Sequence, residues 1–139
     1  HLGPAMARDS AEKLLLKAGL RPTSQRIGLA AILFDGVDKH VTPDDVLRLA
    51  QNAGVDVSVA TVYNTLGQLA AAGLLRRVTL DAGRTFFDTN VSPHHHVFVE
   101  DEDRLIDISG DAMQITGLPD LGDGVRIKSI DVLVRVERR

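Results

Sequence analysis

Along this chain the repeat of apolar residues changes from helical spacing to strand alternation just after Gly73. Before it, four segments carry helix signals. Asp9 to Glu12 has capping-box spacing, Leu14, Leu15 and Ala18 follow at helical intervals, and Gly19 ends the segment. Thr23 is placed to cap a second helix through Ile27, Ala30, Ala31 and Leu33, which stops at Asp35-Gly36. Thr42-Pro43-Asp44-Asp45 combines a capping hydroxyl, proline at the first helical position and acids at the positive end of the dipole. Val46, Leu49, Ala50 and Ala53 then make a buried stripe up to Gly54. Ser58 caps a fourth helix whose inward face is Val59, Val62, Leu66, Leu69 and Ala70. After the switch, Leu74 to Leu80 alternates as a strand, Asp81-Ala82-Gly83 makes a turn, and Arg84 to Asp88 returns.

Helices followed by a hairpin with arginines on both arms describe a winged helix-turn-helix. The outward face of the fourth helix shows Thr61, Tyr63, Asn64 and Gln68. A merely solvated helix usually carries a ladder of lysine and glutamate instead. Hydroxyl, phenol and amide groups suit hydrogen bonding to base edges and phosphates. A half-buried core role for Tyr63 is the competing reading, disfavoured by its position opposite the aliphatic stripe. Arg76 and Arg77 are adjacent strand residues, so only one of them can share a side with that face.

With 139 residues the chain makes one domain of ordinary size or two very small ones. Two parts are expected, residues 1–85 and 86–139, with His1 to Ala5, ahead of Met6, expected to be an appended or disordered leader outside the fold. The first part carries a formal +2 and the second −5, a mildly basic front suited to a polyanion and an acidic back suited to a cation. The absence of cysteine excludes disulfides, thiolate zinc sites and cysteine nucleophiles together. No run approaches the roughly 18 apolar residues of a membrane span, and a cytoplasmic protein without membrane attachment is expected.

Of five histidines, three are consecutive, His94-His95-His96, at the mouth of a strand. Alternation sends His94 and His96 to one face and His95 to the other. Imidazole is the commonest metal ligand, and the acidic stretch Glu100 to Asp103 with Asp107 adds oxygen donors. A divalent metal or a haem iron is the first expectation, a solvated histidine loop the bland one. Beyond the acidic turn, Arg104 to Ile108 reads as a strand, Asp111 to Thr116 as a short helix, and 118–124 as a loop. Ile130, Val132, Val134 and Val136 alternate with polar or larger residues as a last strand. So small a sheet leaves an apolar face and open edges that two-fold pairing would cover, which predicts a homodimer.

The succession Gly19-Leu20-Arg21-Pro22-Thr23, Gln25-Arg26, Ala60-Thr61-Val62-Tyr63-Asn64-Thr65-Leu66 and Gly73-Leu74, with the histidine run behind it, resembles the ferric uptake regulator superfamily from Lys13 to Val136. Phe87-Asp88-Thr89-Asn90-Val91-Ser92 leading into His94 to Glu100 looks most like its Irr branch, the iron-response regulators. The resemblance implies an α+β chain: an N-terminal winged helix-turn-helix followed by a small α/β dimerisation domain. It implies a transcriptional regulator, not an enzyme, that couples iron status to an A/T-rich double-stranded operator. Tyr63 would meet thymine methyls or base edges, Asn64, Thr61 and Ser58 bases or phosphates, and Arg21 a narrow minor groove. Thr23, Gln25, Arg26, Arg76, Arg77 and Arg84 complete the implied DNA-binding set. The implied regulatory site for Fe2+ or Mn2+ comprises His40, Asp88, His96 and Asp107, with ligands drawn from both domains.

The chain departs from the family where ligands are concerned. The cysteine pairs that hold structural zinc in many relatives are missing, and Val97 and Phe98 replace an aspartate and a histidine after the run. His95 thereby lacks its same-face carboxylate, and Asp88 stands one residue further from the run than the usual ligand does. In the Irr branch the run is associated with haem as well, which makes His94, His95 and His96 candidate haem ligands without help from cysteine. Two other classes compete. A metallohydrolase using the cluster would need a nucleophile and an open-site spacing such as two histidines four apart on a helix, and neither is present. A metal-independent winged-helix factor would leave the histidine run as decoration.

Overall fold

The computed structural model describes residues 4–80 and 83–139. It divides into two compact units, residues 1–91 and 92–139. The boundary expected after residue 85 would cut through a strand, and three-stranded pairing keeps that strand in the first unit.

The first unit contains α1 (Pro4–Lys17), α2 (Ser24–Leu33), β1 (His40–Val41), α3 (Pro43–Asn52), α4 (Val59–Ala71), β2 (Arg76–Thr79) and β3 (Thr85–Asp88). Helix α1 starts at Pro4, so Asp9 lies inside it instead of capping it, and Pro4 and Ala5, expected outside the fold, fall within that helix. Proline is tolerated there because the first helical N–H has no partner to lose. His1 to Gly3 lie outside the described residues, as do Asp81 and Ala82 of the expected turn. The other three starts are set by local chemistry. Thr23 Oγ1 accepts from Arg26 N–H at 3.3 Å. Thr42 and Asp45 exchange side-chain and backbone bonds at 3.1 and 2.9 Å, a complete capping box. Ser58 Oγ accepts from Thr61 N–H at 3.1 Å.

Leu15, Leu29, Leu33, Val46, Val62, Leu66 and Leu69 fill the centre of this unit. On α4 the inward face is Val62, Thr65, Leu66 and Leu69, not the expected set beginning at Val59, which is 53% exposed. The buried stripe therefore starts one turn later, and Thr65 takes a core place. The strands form an antiparallel sheet in the order β1-β3-β2. β1 went unforeseen: two residues make a strand only because β3 pairs with them, His40 opposite Asp88 and Val41 opposite Phe87. Thr89 N–H to Lys39 O at 3.0 Å and Lys39 N–H to Thr89 Oγ1 at 2.9 Å extend that pairing. In the turn before β1, the Lys39 ammonium bonded to Asp35 holds its carboxyl below the usual range. The stabilisation from this pair is present at neutral pH and fades as the pH falls through that lowered value.

The second unit is a sheet in the order β5-β4-β6. Central β4 (His94–Val99) pairs antiparallel with β5 (Arg104–Ser109) and parallel with β6 (Leu133–Val136). The expected helix at 111–116 is replaced by a single 3-10 turn, Gly110–Ala112, in which Ser109 Oγ accepts from Asp111 N–H. Six residues without a packed apolar stripe fall well short of the ~12 a marginal helix needs. Nor does the last strand begin at Ile130. Val132 accepts from His96 N–H at 3.1 Å, but its own N–H goes to His95 Nδ1 at 3.1 Å, so a side chain diverts the ladder and pairing starts at Leu133. Phe98, Val99 and Leu105 are the buried apolar residues of this unit, while Ile106, Leu118, Leu121, Val125, Ile127 and Val136 are exposed. No described helix is long and apolar enough to cross a membrane.

Candidate nucleic-acid interface and metal centre

Because α4 buries Val62, Thr65, Leu66 and Leu69, it turns Tyr63 and Asn64 outward, and Tyr63 is 55% exposed. A groove runs beside that face, lined by Thr23, Gln25 and Arg26 from the start of α2, by Thr61, Tyr63, Asn64 and Gln68 from α4, and by Arg77 from β2. Seven of the eleven expected DNA-binding residues are thus brought together. Ser58 lies at the same helix start, where its hydroxyl shares a hydrogen bond with that of Thr61 at 2.9 Å. Arg21 is exposed, and its carbonyl accepts from Arg26 Nη1 at 2.9 Å, which braces the Arg-Pro-Thr turn. Of the adjacent arginines, Arg77 is the one that lines this groove. Arg76, opposite Asp88, and Arg84, whose guanidinium lies over Phe86, do not line the groove. Gln68 and Gly67 join it unassigned, although the sequence already placed Gln68 on the outward face.

Among the described residues, each unit brings together donors of the kind that ligate metals. In the first, register brings His40 beside Asp88, with Nε2 to Oδ2 at 3.2 Å. Asp88 is fully buried, and its Oδ1 accepts from Asn90 N–H at 2.9 Å. In the second, β4 aims His94 and His96 to one side, where β5 places Asp107 opposite His96. Asp107 Oδ1 is 2.9 Å from His94 Nε2 and 3.3 Å from His96 Nε2, and the two rings meet edge-on with centroids 4.5 Å apart. His94 had been assigned only to haem. Alternation had put it on the face of His96, and that was the signal for a shared ion.

The protonation pattern of His94 tests whether these residues suit a metal. Its Nδ1 lies 2.6 Å from the Ser92 carbonyl, which can only accept, so Nδ1 carries the hydrogen. In the neutral ring the lone pair is then on Nε2, directed at a carboxylate oxygen. At 2.9 Å the pair is closed either by a proton on Nε2 or by a cation that both atoms ligate, so the nitrogen and oxygen donors fit a metal. A backbone carbonyl fixing the tautomer behind a ligating nitrogen is the usual support of a metal-bound imidazole. His95 contributes nothing to this group, because its Nδ1 already accepts from Val132 on the other face.

An exposed polar helix in a winged-helix unit, combined with imidazole and carboxylate donors suited to a divalent ion, defines a metal-responsive DNA-binding transcriptional regulator. Comparison with known proteins agrees. The model of the ferric uptake regulator family matches residues 17–133. The ferric uptake regulation protein of Pseudomonas aeruginosa is 37% identical over 94 residues, 67% of this chain and 70% of that protein. That of Shigella flexneri is 31% identical over 101 residues, 72% of this chain and 68% of that protein. Among solved structures, the Vibrio cholerae ferric uptake regulator superposes with a TM-score of 0.73 at 19% identity, over 91% of this chain and 98% of its own, a likeness of fold. The Pseudomonas aeruginosa regulator solved with manganese gives 0.69 at 26% identity, over 93% and 98%. The chain belongs to the ferric uptake regulator family, and its activity is regulation, not catalysis.

Proposed function

We propose that the chain works as a homodimer that binds an A/T-rich operator in the cytoplasm with α4 in the major groove, and that a divalent ion, Fe2+ or Mn2+, controls that binding. In this reading the ion is held by His40 and Asp88 of the first unit together with His94, His96 and Asp107 of the second. The bound ion supplies positive charge and a fixed set of coordination directions. The observation that carries the proposal is the convergence of His94 Nε2 and His96 Nε2, at 2.9 and 3.3 Å, on one oxygen of Asp107. The donor set is nitrogen and oxygen without sulfur, which suits manganese, ferrous iron or zinc. Dimerisation through the second unit is supported by its small core and its row of exposed aliphatic side chains. Tyr63, Asn64 and Thr61 would read bases, Ser58, Thr23, Gln25, Arg26, Arg76, Arg77 and Arg84 would contact the backbone, and Arg21 the minor groove.

Likeness to the Irr branch extends the proposal to haem at His94, His95 and His96. The ion is preferred because all three imidazoles are buried and His95 is committed to Val132. Titrating the protein with Mn(II), Fe(II) and haem while following affinity for a duplex selected on the protein from a random pool tests the sensor. Mn(II) or Fe(II) is expected to change affinity by roughly 5- to 150-fold. Equal affinity with and without every ligand rejects a sensor, and a response to haem alone rejects the ion. Tyr63→Ala is expected to cost about 1–3 kcal/mol in binding the selected duplex while leaving metal affinity unchanged, as measured by fluorescence anisotropy and calorimetry.

A further inference from the structure

Glycine in the middle of a helix is costly, since alanine is better by about 1 kcal/mol, so Gly67 in the interior of α4 asks for a reason. An ideal β-carbon at Gly67 would stand 3.3 Å from Arg77 Nη2, the one described atom within 4 Å beyond its chain neighbours and its own helix backbone. Arg77 comes from β2, and its guanidinium carbon lies 5.7 Å from the ring centroid of Phe87, its register partner on β3. The cation is therefore held from two sides, by an aromatic ring of the wing and by the bare backbone of the helix. Gly67 follows Tyr63 by four residues, so both lie on one helix face about 6 Å apart along the axis. Arg77 is nonetheless exposed, and it lines the same groove as Tyr63 and Asn64.

We infer that Gly67 is a positioning residue for DNA binding: its missing side chain seats the Arg77 guanidinium beside Tyr63, where it neutralises a phosphate flanking the bases that α4 reads. This rests on the reading of α4 as the recognition helix. A β-carbon at 67 would make the flexible arginine tip give by a few tenths of an ångström and leave its seat without disturbing backbone, so helix stability and DNA affinity should move in opposite directions.

The test uses the full chain with Mn(II), a mixed-sequence DNA duplex and a series of salt concentrations. Gly67→Ala is expected to raise Tm by about 4 °C, because the helix gains a better former. It should also weaken duplex binding about fivefold, with the slope of log K against log salt becoming shallower by about 0.9 per protomer. Arg77→Gln should give the same loss of slope, and the double variant no further loss. Unchanged affinity and slope in Gly67→Ala overturns the inference, as does a fall in Tm that accompanies the loss of binding. Asn64→Glu serves as the control on α4 itself. If it abolishes duplex binding while Gly67→Ala and Arg77→Gln do not alter it, only the seat is wrong; if Asn64→Glu binds normally, the recognition helix is wrong and the seat falls with it.

Discussion

A protein carrying His94→Ala and His96→Ala is expected to bind Mn(II) at least ~100-fold more weakly and to bind DNA equally with and without the ion. Both imidazoles address the same oxygen of Asp107, so removing them leaves that carboxylate as the sole donor of the second unit's group. The dimer should persist, because the strand pairing of β4 with β5 and β6 uses backbone bonds that alanine also makes. Sedimentation checks the dimer and calorimetry the ion. Substituting His95 separately distinguishes ligands from neighbours: His95→Ala should retain Mn(II) affinity within a few-fold and lose stability instead, since Val132 N–H is left without its acceptor. Full ion affinity in the His94/His96 variant would remove the case for this centre.

Asp88→Ala is expected to destabilise the first unit by about 3 kcal/mol, read from the midpoint of denaturant unfolding without metal. The carboxylate is completely buried, and its loss removes the oxygens that Asn90 N–H and His40 Nε2 meet there. Asp88→Asn separates folding from ligation. The amide oxygen still accepts from Asn90, so stability should recover by more than half, whereas Mn(II) affinity should stay low because the negative charge is gone. An asparagine variant with normal ion affinity would assign Asp88 to structure alone.

What could be read from the sequence was whatever neighbouring residues settle among themselves. Thr23, Thr42 and Ser58 cap helices through atoms three residues away, so α2, α3 and α4 were visible as spacing. Tyr63 stood out because an aliphatic stripe ran opposite it. What depends on distant pairing stayed hidden. β1 exists because β3 lies alongside, and only that register brings His40 to Asp88 across 48 positions of chain. Whether Arg76 or Arg77 lined the groove depended on the same sheet. The last segment misled because alternation from Ile130 onward promised a strand that a histidine side chain delays until Leu133. His94 was visible as a partner of His96 on one face, yet the haem association of the run drew it away from the ion.

The bond from Val132 to the middle imidazole of the run alters how such a run should be counted. One of its three rings works as a surrogate peptide carbonyl, anchoring the chain's final strand to the sheet's central one. Counting the run as three donors therefore overstates the two that remain by half. The same segment also takes the backbone N–H of His96 at Val132, so trimming it would remove a support from one of the two remaining imidazoles.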